Sequence, residues 1–372
     1  MLHKGRLFFI QKAEQLNRWL STKKGYDSVW GPLYLMCHDL LFPELAKEIF
    51  FPRAYLMRIR CLLIALLPFL FFAVHNVGLT TLKALQVSHG IFLNILVGIV
   101  LISPLFFSSL GCALFWEWLR ARKTGSPMNP VALVMGILML LIVPSTLVFW
   151  KLCLVFSVAL CWTLFVGKGW TFYLFHPVLL AKFLLLVFFP ASFFSSPIWG
   201  HSAARVASAL MISPDNPLQS LGLLKSYGFT LHSLFWGWVP GAIGSSGIFL
   251  CIWAAWYLAK NRMINIRLLL IFIGSVFVAG FVVSHLPFDP PFAYWKIPGY
   301  WHLYLEGLAF SALFFVLHPI TLPVHPIAKH YMVIGTAILL IVVRGLSPYP
   351  GSDILVFLFM GSMAPLLDEI FV

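Results

Sequence analysis

Four ionisable side chains lie in or beside long apolar runs, where charged groups are rare. Glu117 is the sole acidic residue between positions 49 and 214, and Glu306 lies near the start of a later apolar run. His176 and His318 each precede a proline that interrupts such a run. A carboxylate kept in an apolar environment is costly, so its default role is a cation or proton site. A histidine side chain in such an apolar run can act as a proton relay near neutral pH.

The same residues have simpler explanations. Arg120 follows Glu117 by three positions, so the two side chains can pair at a helix end. The histidines can satisfy backbone groups that the neighbouring prolines leave free. Glu117, Glu306 and His318 are therefore our candidate ion-path residues, with these explanations as the alternatives.

Two further acids flank the last apolar run of the chain. Asp353 precedes that run and is predicted to cap its helix. Asp368 lies close to the last residue, and we expect its carboxylate to be solvated.

The cysteines do not suggest a metal centre. The six of them are far apart in the sequence and form no C-x-x-C pair. The sequence therefore predicts neither an iron–sulfur cluster nor a structural zinc site, and most of these thiols are expected to fill apolar space.

Composition sets the class of protein. Of the 372 residues, 61% are hydrophobic and 10% are charged, whereas soluble domains carry about 25% charged residues. The mean hydropathy is +0.94. These values predict an integral membrane protein with many spans. The net charge of +13 fits the basic cytoplasmic loops of such proteins and contact with anionic lipid headgroups better than binding to nucleic acid.

The hydropathy pattern predicts an all-α polytopic protein with about ten transmembrane helices. These cover residues 61–79, a segment that ends near 118, 129–143, 150–166, 173–190, 241–259, 268–285, 301–317, 331–346 and 354–370. The third span is too short to cross, so we predict a broken helix that ends at Pro144. Basic clusters at 58–60, 120–123 and 260–267 fall on one side in this count. That side is predicted to be the cytoplasm, with both termini there and the chain in the inner (plasma) membrane.

The order of the spans predicts two equivalent halves of opposite orientation. Residues 1–57 form a basic segment at the cytoplasmic membrane surface, 58–190 the first membrane repeat, 191–240 an outer loop and 241–372 the second repeat. A P-x-T-L break follows the third span of each half, at Pro144 and at Pro319. This five-plus-five pattern is an inverted repeat, in which the working site lies where the broken helices of the two halves meet.

Several motifs carry a resemblance to a known family. They include H-N-V-G ending at Gly78, F-W-E ending at Glu117, V-P-S-T-L from Val143, H-P-V-L-L-A from His176, V-P-G-A-I-G from Val239, H-P-I-T from His318 and the closing A-P-L-L-D that ends at Asp368. In order and spacing the chain resembles the B-type membrane subunit of the sodium-pumping NADH:quinone reductase and its relative, the D-type membrane subunit of the Rnf electron-transport complex. The resemblance implies a fold similar to urea and ammonium channels. It also implies a membrane protein that works with partner subunits, carries flavin, passes electrons towards quinone and contributes to a sodium path.

The resemblance also implies a flavin site in the outer loop. Family members carry FMN on a threonine, through a phosphoester, in a pattern like D-x-x-S-G-A-[ST]. In this chain Ala207 and the hydroxyl of Ser208 match that pattern, whereas Ser202, Arg205 and Val206 replace its Asp, Ser and Gly. Ser208 is thus the candidate for covalent FMN, and Arg205 can pair with a phosphate. A second, non-covalent flavin and a quinone substrate are further implications of the resemblance.

Other positions depart from the family pattern. His176 stands where an Asn is usual, His318 where an Asp is usual, and Glu306 where a Gly is usual. The chain is therefore read as a diverged member. Two other functions stay open from the residues alone: a small-solute channel or transporter, and a structural subunit without cofactor. The chain has no nucleotide-binding glycine loop, so partner subunits are expected to supply the electron donor.

Overall fold

The computed structural model describes residues 33, 36–37, 40, 52–85, 90–166, 169–171, 174–190, 230–237, 242–244, 247–286, 299–304, 307–318, 321–346 and 353–371. The described part is built from helices. We number them α1 (Arg53–Ala84), α2 (Ile91–Thr124), α3 (Val131–Ile142), α4 (Phe149–Cys161), α5 (Pro177–Phe188), α6 (Leu231–Trp236), α7 (Ile248–Lys260), α8 (Ile266–Ser284), α9 (Leu308–Ser311), α10 (Pro326–Leu346), α11 (Asp353–Ser362) and α12 (Ala364–Ile370).

Five of these elements are long and apolar enough to cross a membrane: α1, α2, α4 with the π-helical turn that extends it to Val166, α8 and α10. Helices α3, α5, α7 and α11 are apolar but shorter. Many large apolar side chains face outwards, such as Phe92 and Phe71, as they do where lipid replaces water. The prediction of an all-helical integral membrane protein is confirmed.

The first half is packed through small residues and aromatic contacts. A Cβ atom added to Gly98 of α2 would lie 1.8 Å from the carbonyl oxygen of Val74 on α1, so only glycine lets these helices approach so closely. Phe69 of α1 reaches across to the second half, where its ring centroid lies 5.2 Å from that of Phe310 and 5.7 Å from that of Phe314. These rings join the two halves in one apolar core.

Helix α3 stops inside the protein. It ends at Ile142, and Val143 is extended with φ −95° and ψ 156°, as expected for a residue before proline. The break leaves two carbonyl groups without partners inside the helix. Val143 O accepts a hydrogen bond from Ile243 N (3.0 Å), and Leu141 O accepts one from Gly244 N (2.9 Å). The predicted break at Pro144 is confirmed. Its free carbonyl groups are paired by the segment around Ile243, which precedes α7.

Helix α9 ends differently. It continues into a π-helical turn, Ala312–Val316, and then stops at Leu317. The eighth span was predicted as one continuous helix over residues 301–317, and this prediction was wrong. The structure has a 3₁₀ turn, Gly299–Leu303, and starts the helix only at Leu308. Gly307, with φ 70°, adopts the left-handed conformation that separates the two.

The termini and the outer loop are described only in part. Most of residues 1–57 and most of 191–240 lie outside the described residues. Within the second of these segments the structure contains α6, a short helix that the sequence did not predict. Thr230 and Ser233 form a capping box at its start, which is a local reason for a helix at this place.

Candidate functional site

The carboxylate of Glu117 is fully buried near the end of α2. Its Oε1 accepts hydrogen bonds from Arg120 Nη2 (2.6 Å) and from the backbone N–H of Asn129 (2.6 Å). Its Oε2 accepts from Arg120 Nε (2.9 Å) and from the indole Nε1 of Trp170 (2.6 Å). Each oxygen thus accepts two donors, one of them from a charged guanidinium. The predicted pairing of Glu117 with Arg120 is confirmed.

This cluster joins four parts of the chain. Arg120 also donates to Ser126 Oγ (2.7 Å) and to the carbonyl of Pro127 (2.9 Å), which fixes the link between α2 and α3. The Oδ1 of Asn129 accepts from Val131 N at the start of α3 and from the hydroxyl of Tyr55 on α1. A cation at Glu117 would have to compete with all of these donors. The geometry therefore favours a role for Glu117 in holding the neighbouring helix ends in position. Its role on an ion path stays a prediction.

A second polar centre lies where the broken helices approach each other. His176 precedes the first residue of α5, and His318 follows the π-helical turn of α9. Both side chains are buried, and their ring centroids lie 5.9 Å apart at an interplanar angle of 85°. The ring of Phe315 lies 5.0 Å from that of His176. The structure therefore brings together two imidazoles that are 142 residues apart in sequence, by 318 − 176.

The freed backbone groups beside His318 are satisfied by another residue. Thr321 Oγ1 lies 2.7 Å from the carbonyl oxygen of Phe315 and 2.9 Å from that of His318, so its proton can be donated to either. We expected the histidines to serve the freed backbone, but at this break the threonine of the P-x-T-L motif does so. The buried Nδ1 of His318 has no hydrogen-bond partner within the described ranges.

A third buried cluster links α10 to the 3₁₀ turn Gly299–Leu303. Arg344, in the last turn of α10, is 1% exposed, and its Nη1 donates to the carbonyl oxygen of His302 at 2.9 Å. The imidazole of His302 is fully buried, with no hydrogen-bond partner for either ring nitrogen in the described part of the chain. Gly280 of α8 lies directly against Gly299. These contacts hold the 3₁₀ turn in place, with α8 packed on one side and α10 on the other.

The last two acids have different surroundings. Asp353 is the first residue of α11 and is buried, and its Oδ1 has no hydrogen-bond partner among the residues described; its predicted capping role stays a prediction. The prediction that Asp368 is simply solvated was wrong. Its two oxygens accept from the backbone N–H groups of Val324 and His325, both at 2.8 Å. The carboxylate thus caps α10, where a helix start presents unpaired N–H groups.

The remaining predicted site residues are not described. Ser208 and Arg205, the candidate flavin residues, lie outside the described residues, and so does Glu306. Their roles stay predictions from the sequence. Of the three ion-path candidates, the structure describes only Glu117 and His318, and these lie in separate clusters.

Cofactor and metal sites can be assessed only for the described ranges. Within them, no three side chains of His, Cys, Asp or Glu converge as a metal site would require. An apolar cavity of about 160 Å³ lies between α7, α8 and α9, lined by residues such as Cys251, Phe272 and Leu313. Its walls lack the convergent polar groups that orient a flavin ring or a quinone head. The lining of this cavity is almost wholly apolar.

Sequence reasoning missed three of these residues. Trp170 was not considered, and its contact with Glu117 has no local signal. Arg344 and His302 were not weighed either, although Arg344 did leave a signal. In the predicted topology it lies at the outer end of its span, where basic residues are disfavoured, so burial for a structural purpose could have been inferred.

Comparison with known proteins agrees with the motifs. The family model described as the NQR2, RnfD, RnfE family matches residues 54–372. Three similar curated proteins are each named as the B-type subunit of a Na(+)-translocating NADH-quinone reductase. The one from Chromohalobacter salexigens is 26% identical over 332 residues, with 82% of this chain and 79% of the relative covered. The one from Klebsiella pneumoniae is 26% identical over 346 residues, with 83% and 82% covered. The one from Neisseria meningitidis is 24% identical over 338 residues, with 82% and 81% covered. Because the family model matches from the start of α1 to the last residue, the resemblance is confirmed and the chain belongs to the NQR2, RnfD, RnfE family.

Proposed function

We propose that this chain is the membrane subunit of an ion-translocating, flavin-dependent electron-transport complex of the NADH:quinone reductase type. The names of the relatives support this class, since each match covers most of both chains. The structural observation that carries the proposal is the buried pair His176 and His318, which lies where α5 and α9 begin and end inside the protein. Buried ionisable groups between broken helices are typical of ion paths. The alternative of a small-solute channel gains no support from these relatives.

The ion path in this proposal runs past His318. This path follows the surface where the two halves of the chain meet, and Glu306 is the second candidate residue on the path. Glu117 belongs to the same proposal but acts mainly by position, because its cluster holds the ends of α1, α2 and α3. In alternating access one half of such a protein moves relative to the other. In this proposal the cluster at Glu117 keeps the helix ends of the first half fixed during that motion.

The proposed architecture is a ten-span inverted repeat, similar to urea and ammonium channel folds, with both termini in the cytoplasm. Two contacts support the topology. The cluster of Glu117 gathers helix ends that the span count assigns to the cytoplasmic side. Asp368 contacts the start of α10, which the count assigns to the same side. A reporter fused after Val372 should be active in the cytoplasm, and activity only in the periplasm would contradict the topology.

The proposed cofactors follow from the family pattern. Ser208 carries FMN through a phosphoester, with Arg205 paired to the phosphate. A second, non-covalent flavin and the quinone are shared with partner subunits, which also oxidise NADH. The replacement of the motif's Asp and Gly in this chain favours one further candidate, a structural subunit that has lost its covalent flavin.

The test is to co-express the chain with the other subunits of a complex of this type and to purify the complex through a tag on this chain. We expect co-purifying subunits, bound flavin and NADH:quinone reductase activity in membranes. The same preparation without the chain should lose quinone reduction and keep NADH oxidation by artificial acceptors. Full quinone reduction without the chain would contradict the proposal, and an active complex without flavin on this chain would support the structural role.

A further inference from the structure

The apolar cavity between α7, α8 and α9 extends from the surface of the protein into its core. Ile252 of α7, which lines the cavity, is 58% exposed, whereas Phe272 and Leu313 on its other walls are buried. The volume of the cavity is about 160 Å³. An engineered apolar cavity of about 150 Å³ in another protein binds benzene, so this one has room for about six carbon atoms.

The lining of the cavity suits a hydrocarbon chain. Among the described residues that line it, only Cys251 and Tyr304 carry a polar side-chain atom. Three alanines, Ala255, Ala309 and Ala312, leave the space open. A polar group placed here loses its hydration without gaining hydrogen-bond partners. Since lipid surrounds the helices of a membrane protein, an acyl chain is the hydrocarbon that meets the exposed side of this cavity.

The end of α7 indicates where the lipid headgroups lie. Trp256 is 58% exposed, and Nζ of Lys260 lies 5.1 Å from the centroid of its ring. An exposed tryptophan beside a lysine is typical of the boundary between lipid and water. Ala255, the residue before Trp256, lines the cavity, and Ile248 lines it further along the helix. The cavity therefore begins at the headgroup level and follows α7 towards the middle of the bilayer for about 10 Å.

The turn between α7 and α8 adds positive charge at this level. Lys260, Arg262 and Arg267 are exposed, and the sequence contains no acidic residue from 216 to 288. Arg262 follows Ala255 by seven positions, or two helical turns, so it continues the face of α7 that lines the cavity. Its backbone N–H donates to the carbonyl of Ala259 at 3.0 Å, which keeps it at the end of the helix. Cations at the membrane surface attract anionic headgroups.

We infer that this chain binds one anionic phospholipid, with an acyl chain in the cavity and the phosphate at the basic turn 260–267. The inference goes beyond the proposed function and does not depend on it, because it requires only that α7 and α8 lie in a bilayer. The bound chain contacts Leu308 and Leu313, which belong to α9 and the π-helical turn that ends before His318. A ligand that binds only the folded protein stabilises it, so the lipid supports the segment that leads to the second break.

The first experiment measures which lipid stays with the protein. The full chain is placed in nanodiscs with equal amounts of phosphatidylglycerol and phosphatidylcholine, which share acyl chains and differ in charge. It is then released into detergent, and bound lipid is counted by native mass spectrometry. We expect one phosphatidylglycerol to be retained where phosphatidylcholine is lost. Equal retention of the two lipids would overturn the inference, and so would a quinone retained in place of phospholipid.

The second experiment locates the acyl chain. Phosphatidylglycerol with a diazirine group in one acyl chain is activated by light, and the labelled residues are identified by mass spectrometry. Phe272 and Leu313 are 0% and 3% exposed, so lipid outside the cavity does not reach them. We expect label on these two residues as well as on Val278 of α8, which is 58% exposed. Label on outward residues alone would contradict an acyl chain in the cavity.

A charge variant tests the headgroup contact. Arg262→Gln should lower the affinity for phosphatidylglycerol about fivefold, the effect of one cation at an anionic surface, and leave retention of phosphatidylcholine unchanged. Arg122 is an exposed cation at the end of α2, which does not line the cavity, so Arg122→Gln is the matched control and should bind as the parent does. Parental affinity in Arg262→Gln would overturn the inference.

A packing variant tests the cavity itself. Ala255→Leu places additional carbon atoms in the cavity and should abolish the label on Leu313. Val278→Leu enlarges a residue of α8 outside the cavity and should keep that label. Unchanged labelling of Leu313 in folded Ala255→Leu protein would contradict the site. If Ala255→Leu does not fold, Arg262→Gln still tests the inference, because its side chain is exposed.

Discussion

The indole Nε1 of Trp170 lies 2.6 Å from Oε2 of Glu117 and ties the link between α4 and α5 to the end of α2. With Arg120 and the backbone of Asn129, the indole completes the coordination of a fully buried carboxylate. A buried charge is tolerated only when such partners surround it. The contact therefore helps to explain how α2 can carry a fully buried carboxylate, the one acid between residues 58 and 190.

The first prediction concerns this carboxylate. Glu117→Gln removes the charge and leaves the guanidinium of Arg120 without its carboxylate partner, so we expect a loss of about 3 kcal/mol in stability. Thermal unfolding in detergent, followed by intrinsic fluorescence, measures it. Trp170→Phe removes this hydrogen bond and part of a buried ring, and should cost about 2 kcal/mol.

The ion dependence of turnover distinguishes the two roles of Glu117. If it positions the helix ends, folded Glu117→Gln protein should show the parental ion dependence. A variant with parental thermal stability and a shifted ion dependence would instead establish Glu117 as an ion-path residue.

A second prediction concerns the cap of α10. Asp368→Ala leaves the N–H groups of Val324 and His325 without their acceptor, and we expect a loss of about 1 kcal/mol. Glu369, the next residue, is exposed, so Glu369→Ala is the control and should have little effect. Equal losses in the two variants would mean that charge near the terminus, and not the cap, stabilises this end.

The sequence predicted those features that depend on local chemistry. The break of α3 at Pro144 could be predicted because proline restricts the residue before it. The pairing of Glu117 with Arg120 could be predicted because residues three apart share a helix face. The apolar runs predicted where the helices lie, because a helix that crosses a lipid bilayer needs a long continuous apolar segment.

Features that depend on tertiary packing could not be predicted. Trp170 is 53 residues from Glu117, and nothing in either segment signals the contact. The π-helical turn Ala312–Val316 is as apolar as the helix before it. Gly307 interrupts the predicted eighth span, but a single glycine inside an apolar run is a weak local signal.

A third prediction tests the closure of the second break. Thr321→Val keeps the shape of the side chain and removes the hydroxyl, so the carbonyl of Phe315 loses its side-chain donor. The carbonyl of His318 still accepts from the backbone N–H groups of Thr321 and Leu322. We expect a loss of about 1–2 kcal/mol, and Thr321→Ser should restore most of it. If Thr321→Val is as stable as the parent, the carbonyl of Phe315 has another donor and the motif's threonine is not required.

A fourth prediction concerns the first break. A Cβ atom at Gly244 would lie 2.2 Å from Cδ2 of Leu141, so Gly244→Ala must displace that side chain or the backbone pairing with α3. We expect a loss of about 1–3 kcal/mol. Gly274 of α8 has open space at its Cβ position, so Gly274→Ala should be neutral or stabilising by up to about 1 kcal/mol. Equal effects of the two substitutions would show that the contact with Leu141 is not restrictive.

The last prediction concerns the flavin. The hydroxyl of Ser208 can form the same phosphoester as the family's threonine, whereas Val206 replaces a glycine and narrows the backbone conformations open to the attachment loop. We expect flavin fluorescence on the denatured chain in an SDS gel when partner subunits and the flavin-attaching enzyme are present. Ser208→Ala should abolish this fluorescence, and Ser208→Thr, which restores the family's residue, should retain or increase it. Val206→Gly should increase the labelled fraction if the loop's backbone limits attachment. A dark parent band, from cells shown to flavinylate another family member, would mean that this chain carries no covalent flavin.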